Sequence, residues 1–113
     1  MSIQNKTVDF IAQLTFLKSE QGGRTTAIFS SVYRPQIKFP FSEMQTSGQQ
    51  RFLDKEIINP GDTVKAEIQL LSPELFEGNL TKGADFEFRE GSKVIGTGKI
   101  LKLINKQLKK AGS

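Results

Sequence analysis

From Phe10 to Leu17 the chain alternates, with Phe10, Ala12, Leu14 and Phe16 set against Ile11, Gln13, Thr15 and Leu17. A period of two belongs to a β-strand, whose successive side chains leave opposite faces. Gln13 and Thr15 mark the second set as outward, so the Phe10 set predicts a buried face. Thr63 to Leu70 repeats the pattern, with Val64, Ala66, Ile68 and Leu70 inward and Lys65, Glu67 and Gln69 outward. Ala84 to Arg89 sets Phe86 and Phe88 against Asp85, Glu87 and Arg89, and Lys93 to Asn105 is a long run. Gln49 to Ile58 and Ala27 to Phe39 read as further strands, the latter broken near Arg34-Pro35.

Turn chemistry separates the runs. Gln21-Gly22-Gly23-Arg24 reads as a hairpin loop after the first strand, its paired glycines accepting positive φ. Asn59-Pro60-Gly61-Asp62 has Pro second and Gly third, as a type II turn demands. Glu90-Gly91 predicts a tight hairpin into the last strand. Pro35 cannot donate to a ladder and marks an edge or bend. Pro40 interrupts again, and Pro40 to Gln50 is expected to be a loop. Five to seven strands at this turn spacing predict an all-β barrel or sandwich with no βαβ unit. Only Asn105 to Lys110 reads as a short helix.

A length of 113 residues fits one domain with one core. The expected division is a lead over 1–8, the β domain over 9–105 and a basic, solubilising tail over 106–113. The chain has no His and no Cys, which removes the usual nucleophile–base pairs and thiolate metal sites. Ser–Lys and paired-carboxylate chemistry remain, and no spacing favours either. The expectation is a non-enzyme without cofactor or metal. No apolar run reaches the roughly 20 residues of a membrane helix, and residues 1–8 lack an apolar signal core. The chain reads as soluble, untargeted and cytoplasmic.

Gly96-Thr97-Gly98-Lys99 invites a phosphate-loop reading. Gly91 to Gly96 has Walker spacing, but Thr97 stands where Lys is required and no helix follows. Two glycines within a strand instead predict a bulge or a close backbone approach. Asp85, Glu87 and Glu90 lie close together, and a solvated strand face accounts for them better than a metal or acid pair. Ile11 and Leu17 hint at an outward apolar strip. Arg24, Arg34, Lys38 and Arg89, with Gln36 and Thr46, form a candidate phosphate-binding set, since guanidinium forks suit phosphate geometry. A net charge of +4 leaves ordinary surface charge open as the other reading. Lys106, Lys109 and Lys110 allow contact with RNA or another acidic surface.

Four segments then read together: Ser19-Glu20-Gln21-Gly22-Gly23-Arg24-Thr25-Thr26, Tyr33-Arg34-Pro35-Gln36, Asn59-Pro60-Gly61-Asp62-Thr63-Val64, and Phe88 through Gly98. In this order the chain resembles the C-terminal domain of elongation factor Tu from about Phe10 to Ile104. The resemblance implies a six-stranded antiparallel β-barrel standing without the GTPase domain it normally serves. It implies contacts to the tRNA T-stem backbone at Gln36 and Glu90, with Arg34, Arg89 and Gly91 beside them and Thr46 in a loop that differs. It implies the exchange factor and the GTPase domain as protein partners. Departures are Thr25 where the family has His, Pro40-Phe41-Ser42-Glu43 where it has an Arg-Thr-Thr-Asp stretch, which removes one basic residue, and a longer Ser72 to Gly83 segment.

Two functions are therefore expected to compete. One is a protein-interaction module that imitates the factor's domain and captures something that binds it. The other is a weak tRNA-binding module using Arg24, Arg34, Gln36, Thr46, Arg89, Glu90 and Gly91. A relic with no separate activity is the structural alternative.

Overall fold

The computed structural model describes residues 8–29 and 32–111. Its strands are β1 (Phe10–Phe16), β2 (Val32–Tyr33), β3 (Gln36–Lys38), β4 (Gln45–Phe52), β5 (Thr63–Leu70), β6 (Asp85–Glu90) and β7 (Lys93–Leu103). The order β4-β3-β6-β7-β1-β5 returns on itself through a β4–β5 pairing, and every ladder is antiparallel. The sheet is thus a closed six-stranded barrel. β2 and β3 are one stave split at Pro35, since both pair with β4. The Pro35 carbonyl still accepts from the Gly48 amide at 2.9 Å, so the break costs no acceptor.

Alternation decides what lies inside. Phe10, Ala12, Leu14 and Phe16 are buried, as are Val64, Ala66, Ile68 and Leu70, and Phe86 and Phe88. Phenylalanine rings interlock down the axis, with Phe16 against Phe88 at 4.9 Å and Phe10 against Phe86 at 5.6 Å. Each buried ring contributes roughly 2–3 kcal/mol. Two register shifts fall on β7. Arg89 faces Val94 while Phe88 faces Gly96, and Ile11 faces Lys102 while Ala12 faces Ile100. Ile95 and Leu101 are therefore the extra residues of two bulges, which bend this longest strand around the barrel. The Gly96 and Gly98 positions are close approaches: each lies opposite a phenylalanine of β6, Phe88 and Phe86 respectively.

The turn at Asn59–Asp62 holds as expected, with Gly61 at φ 92° and the Asp62 amide on the Asn59 carbonyl at 3.0 Å. The β6–β7 hairpin also holds, with Gly91 at φ 63°. Gln21 to Arg24 is not a hairpin. β1 pairs with β5 and β7, never with β2, and the segment is a 310 turn over Ser19–Gln21 capped by Gly22. Only Gly22 takes positive φ there; Gly23 is buried against the Leu17 backbone.

Pro40 to Gln50 is not all loop, because β4 begins at Gln45. Nor does that strand reach Ile58: it ends at Phe52, and Ile58 makes an isolated bridge with Ile28. The inward residues of β4 are Thr46, Gly48, Gln50 and Phe52, so its buried face is mostly polar or small and carries no apolar period. Gln50 is 0% exposed and its amide atoms bond no group among the described residues, a burden of about 1–3 kcal/mol.

The segment 106–110, expected as a solubilising tail, packs on the barrel. Lys106–Leu108 form a 310 turn, Leu108 is fully buried, and Lys109 bridges Leu80. Its partner is the long segment after β5, where Pro73–Phe76 form another 310 turn and Phe76 and Leu80 close that end of the core. No helix among the described residues is long and apolar enough to cross a membrane.

Candidate functional site

Strand parity sorts the candidate residues into three places. On β6, Phe86, Phe88 and Glu90 share the inward parity, while Glu87 and Arg89 face out. On the split stave, Ile37, Pro35 and Tyr33 lie inward, while Gln36 and Arg34 face out. Glu90 and Tyr33 thus meet at the end of the barrel where Phe16 and Phe52 finish the core.

At this mouth the Glu90 carboxylate accepts the Tyr33 hydroxyl and the Arg24 guanidinium on the same oxygen. The Arg24 Cζ lies 5.7 Å from the Tyr33 ring centroid, within cation–π range. Arg24 also donates to the Thr26 carbonyl at 3.3 Å and the Thr26 hydroxyl at 3.2 Å. Partial burial alone would raise the Glu90 pKa; the hydrogen bonds from Tyr33 and Arg24 outweigh it and hold the carboxyl below its usual range. Burial, then the Glu90 hydrogen bond and charge, push the Tyr33 phenol well above 10, against a smaller opposing pull from Arg24. Gly91 sits exposed at the hairpin apex beside this network.

Arg34, Gln36 and Arg89 lie on the outer wall. Gln36 and Arg89 are cross-strand partners, Gln36 donates to the Ser47 hydroxyl at 3.1 Å, and Arg34 donates to Gln49 at 2.9 Å. Arg89 is turned onto Glu87 along its own strand. Thr46 is apart from both groups: it is 5% exposed and its hydroxyl accepts the Ser72 amide at 3.0 Å, tying β4 to the segment after β5. The carboxylates do not gather either. Asp85 pairs with Lys99 at 2.9 Å, Glu87 with Arg89, and Glu90 with Arg24. No group of acidic residues among the described residues has metal-binding geometry.

The sequence reading missed Tyr33 as a working residue, although its parity with Pro35 and Ile37 carried the signal. It also missed an apolar cluster at the same mouth. Phe29 is 76% exposed, Leu53 50% and Ile57 49%. The antiparallel bridge between Ile28 and Ile58 sets Phe29 and Ile57 side by side, and Phe29 and Leu53 line one hollow with Asp54, Lys55 and Glu56. Ile11 and Leu17 are only half-buried and belong to no such cluster.

The network gives a spectroscopic prediction. The chain has a single Tyr and no Trp, so ultraviolet difference titration follows Tyr33 alone. Its midpoint is expected well above the ordinary value of about 10, and Glu90→Gln is expected to bring it down. Because the folded phenol pKa is raised, the stabilisation is present below the unfolded value and lost as pH rises through the folded one. Glu90 behaves oppositely: its contribution is present above the unfolded value near 4.3 and fades as pH falls through the folded one. An ordinary midpoint in the native protein would show the network is not formed.

A family model described as Elongation factor Tu C-terminal domain matches residues 3–104.

Proposed function

This chain belongs to the elongation factor Tu C-terminal domain family, and from that premise we propose that it is a non-catalytic protein-interaction module of the translation apparatus. It presents the surface of that domain to a protein that binds elongation factor Tu: the exchange factor, the GTPase domain or another binder. The observation that carries this reading is the apolar mouth. Phe29, Leu53 and Ile57 are exposed in one cluster, rimmed by Asp54, Lys55 and Glu56. An apolar cluster inside a charged rim is the anatomy of a protein interface.

The electrostatics point the same way. RNA recognition would require free cations facing a phosphate backbone. Arg24 is engaged by Glu90, Arg89 by Glu87, and Thr46 faces the core. One observation favours tRNA as the second reading: Arg34, Gln36 and Arg89 do share the outer wall, with Gln36 and Arg89 in register. The proposed setting for either function is the cytoplasm.

Calorimetric titration against the isolated GTPase domain and the exchange factor, beside tRNA at low and moderate salt, tests this. Protein binding that Phe29→Ser with Leu53→Ser weakens at least tenfold is expected, a loss typical of two interface anchors. Binding to tRNA alone, abolished by Arg34→Ala and rising steeply as salt falls, would replace this reading with the second.

A further inference from the structure

At the far end of the barrel from the mouth lies a groove of about 780 Å³ lined by Thr81, Lys82, Leu101, Leu103 and the lysines Lys102, Lys106 and Lys109. Its size is that of a ligand cleft, roughly 300–1,000 Å³. We propose that this groove binds an extended acidic peptide carrying apolar side chains at intervals, supplied by a partner protein.

Two chain segments build the groove by closing on each other. The Gly78 amide donates to the Gln107 carbonyl at 2.9 Å, the Leu80 amide to the Leu108 carbonyl at 2.8 Å, and the Lys110 amide to the Leu80 carbonyl at 2.8 Å. This zipper holds Lys106 and Lys109 over the barrel wall opposite Lys82. Lys106 and Lys109 lie beyond the residues matched by the family model, which end at 104.

Three observations choose the occupant. First, the charge is of one sign and uncommitted: no acidic residue lines the groove, and none of Lys82, Lys102, Lys106 and Lys109 has an ion pair among the described residues. Second, the floor is apolar, from half-buried Leu101 and Leu103; the bulge at Leu101 places it there. Third, β7 has an open side. The β6 ladder runs only to Asp85 opposite Lys99, with Ile100 bonded to Gly83 and Ala84 just beyond. Past Ile100 no strand among the described residues pairs with β7 on that side. An extended peptide suits such an edge, with its backbone along the strand and alternate side chains on the floor and at the lysines. A nucleic acid would favour guanidinium forks and stacking aromatics, and the groove lining has neither.

The proposal does not rest on the mouth or on the tRNA wall, and its test uses separate probes. A short fluorescein-labelled peptide of alternating Glu and Leu is titrated by anisotropy, beside a Glu-only peptide, a Lys–Leu peptide and tRNA. The Glu–Leu peptide is expected to bind best, more tightly at low salt, where screening is weaker. Lys82→Glu with Lys109→Glu, both at exposed positions, is expected to weaken it at least about tenfold, while Phe29→Ser leaves it unchanged. The far-ultraviolet spectrum of the double variant checks that the barrel is intact. Absence of binding at low salt, equal binding of the Glu-only peptide, tighter binding of tRNA through the same lysines, or indifference to the charge reversal would each overturn it.

Discussion

Gly96→Ala is expected to lower stability by about 3 kcal/mol, at the upper end for an added methyl in a packed core. A Cβ built on Gly96 falls 2.5 Å from the Thr15 carbonyl oxygen and 2.4 Å from the Phe88 ring. The first contact is backbone of β1 and cannot turn aside; the second is a ring already wedged at 4.9 Å against Phe16. Gly98 is the comparison. The three atoms nearest its Cβ would all belong to the Phe86 ring, the first at 2.3 Å, and a ring can tilt, so Gly98→Ala is expected to cost about 1–2 kcal/mol. Thr97 between them is exposed, and Thr97→Ala is expected to stay within about 0.5 kcal/mol. Urea unfolding of the three variants measures the order. Equal losses at Gly96 and Gly98 would mean the β1 backbone is not the obstacle. The glycine pair that suggests a phosphate loop is thus explained by two phenylalanines packed across the sheet.

How far the fold can be read from the residues depends on what each strand buries. β1, β5 and β6 bury apolar sets, so their alternation shows both the strand and its inner face. β4 buries Thr46, Gly48 and Gln50 ahead of Phe52, so the same rule sees no apolar period in its first half and returns a loop there, finding a strand only from Gln49. The Gln21–Arg24 segment fails for another reason: paired glycines report a turn but not which strand follows in space, and the chain crosses the mouth instead of turning back. The resemblance to the elongation factor Tu domain supplied the closed six-stranded topology that alternation alone left as barrel or sandwich.

The candidate site was legible only as a neighbourhood. Arg24, Arg34, Gln36, Arg89 and Glu90 do cluster around β2, β3 and β6, but residue type alone does not show which face each one takes. Parity sets Glu90 on the face of Phe86 and Phe88, and at the mouth it is part-buried, held by Tyr33 and Arg24. Thr46 carries the same lesson on neighbouring β4, where it faces the core. The lysine groove was beyond reach, since Lys82 and Lys109 are brought together only by the zipper between two segments far apart in sequence.

That zipper has an anchor, and removing it is expected to have the other large effect. Asp9 is 3% exposed and has no ion pair among the described residues. Its carboxylate accepts the Leu70 amide at 2.7 Å and the Asn105 side-chain amide at 2.9 Å, while its carbonyl accepts the amides of Ile104 and Asn105 at 3.0 and 2.9 Å. Asp9→Ala orphans one buried donor, the Leu70 amide, and one part-buried donor, the Asn105 side chain, and is expected to cost about 3 kcal/mol, a fall of about 12 °C in Tm for a domain of this size. Asp9→Asn keeps one acceptor, so about half that loss is expected. Hydrogen exchange separates a general weakening from a local one. If Asp9 moors the segment through Asn105, the Leu80 and Lys110 amides lose protection in Asp9→Ala before the β1 and β5 amides do. Lys106 and Lys109 then leave the groove, and the Glu–Leu peptide binds more weakly although every lysine is present. Leu80 and Lys110 protection that falls only in step with the barrel core would show that Asp9 secures β5 alone.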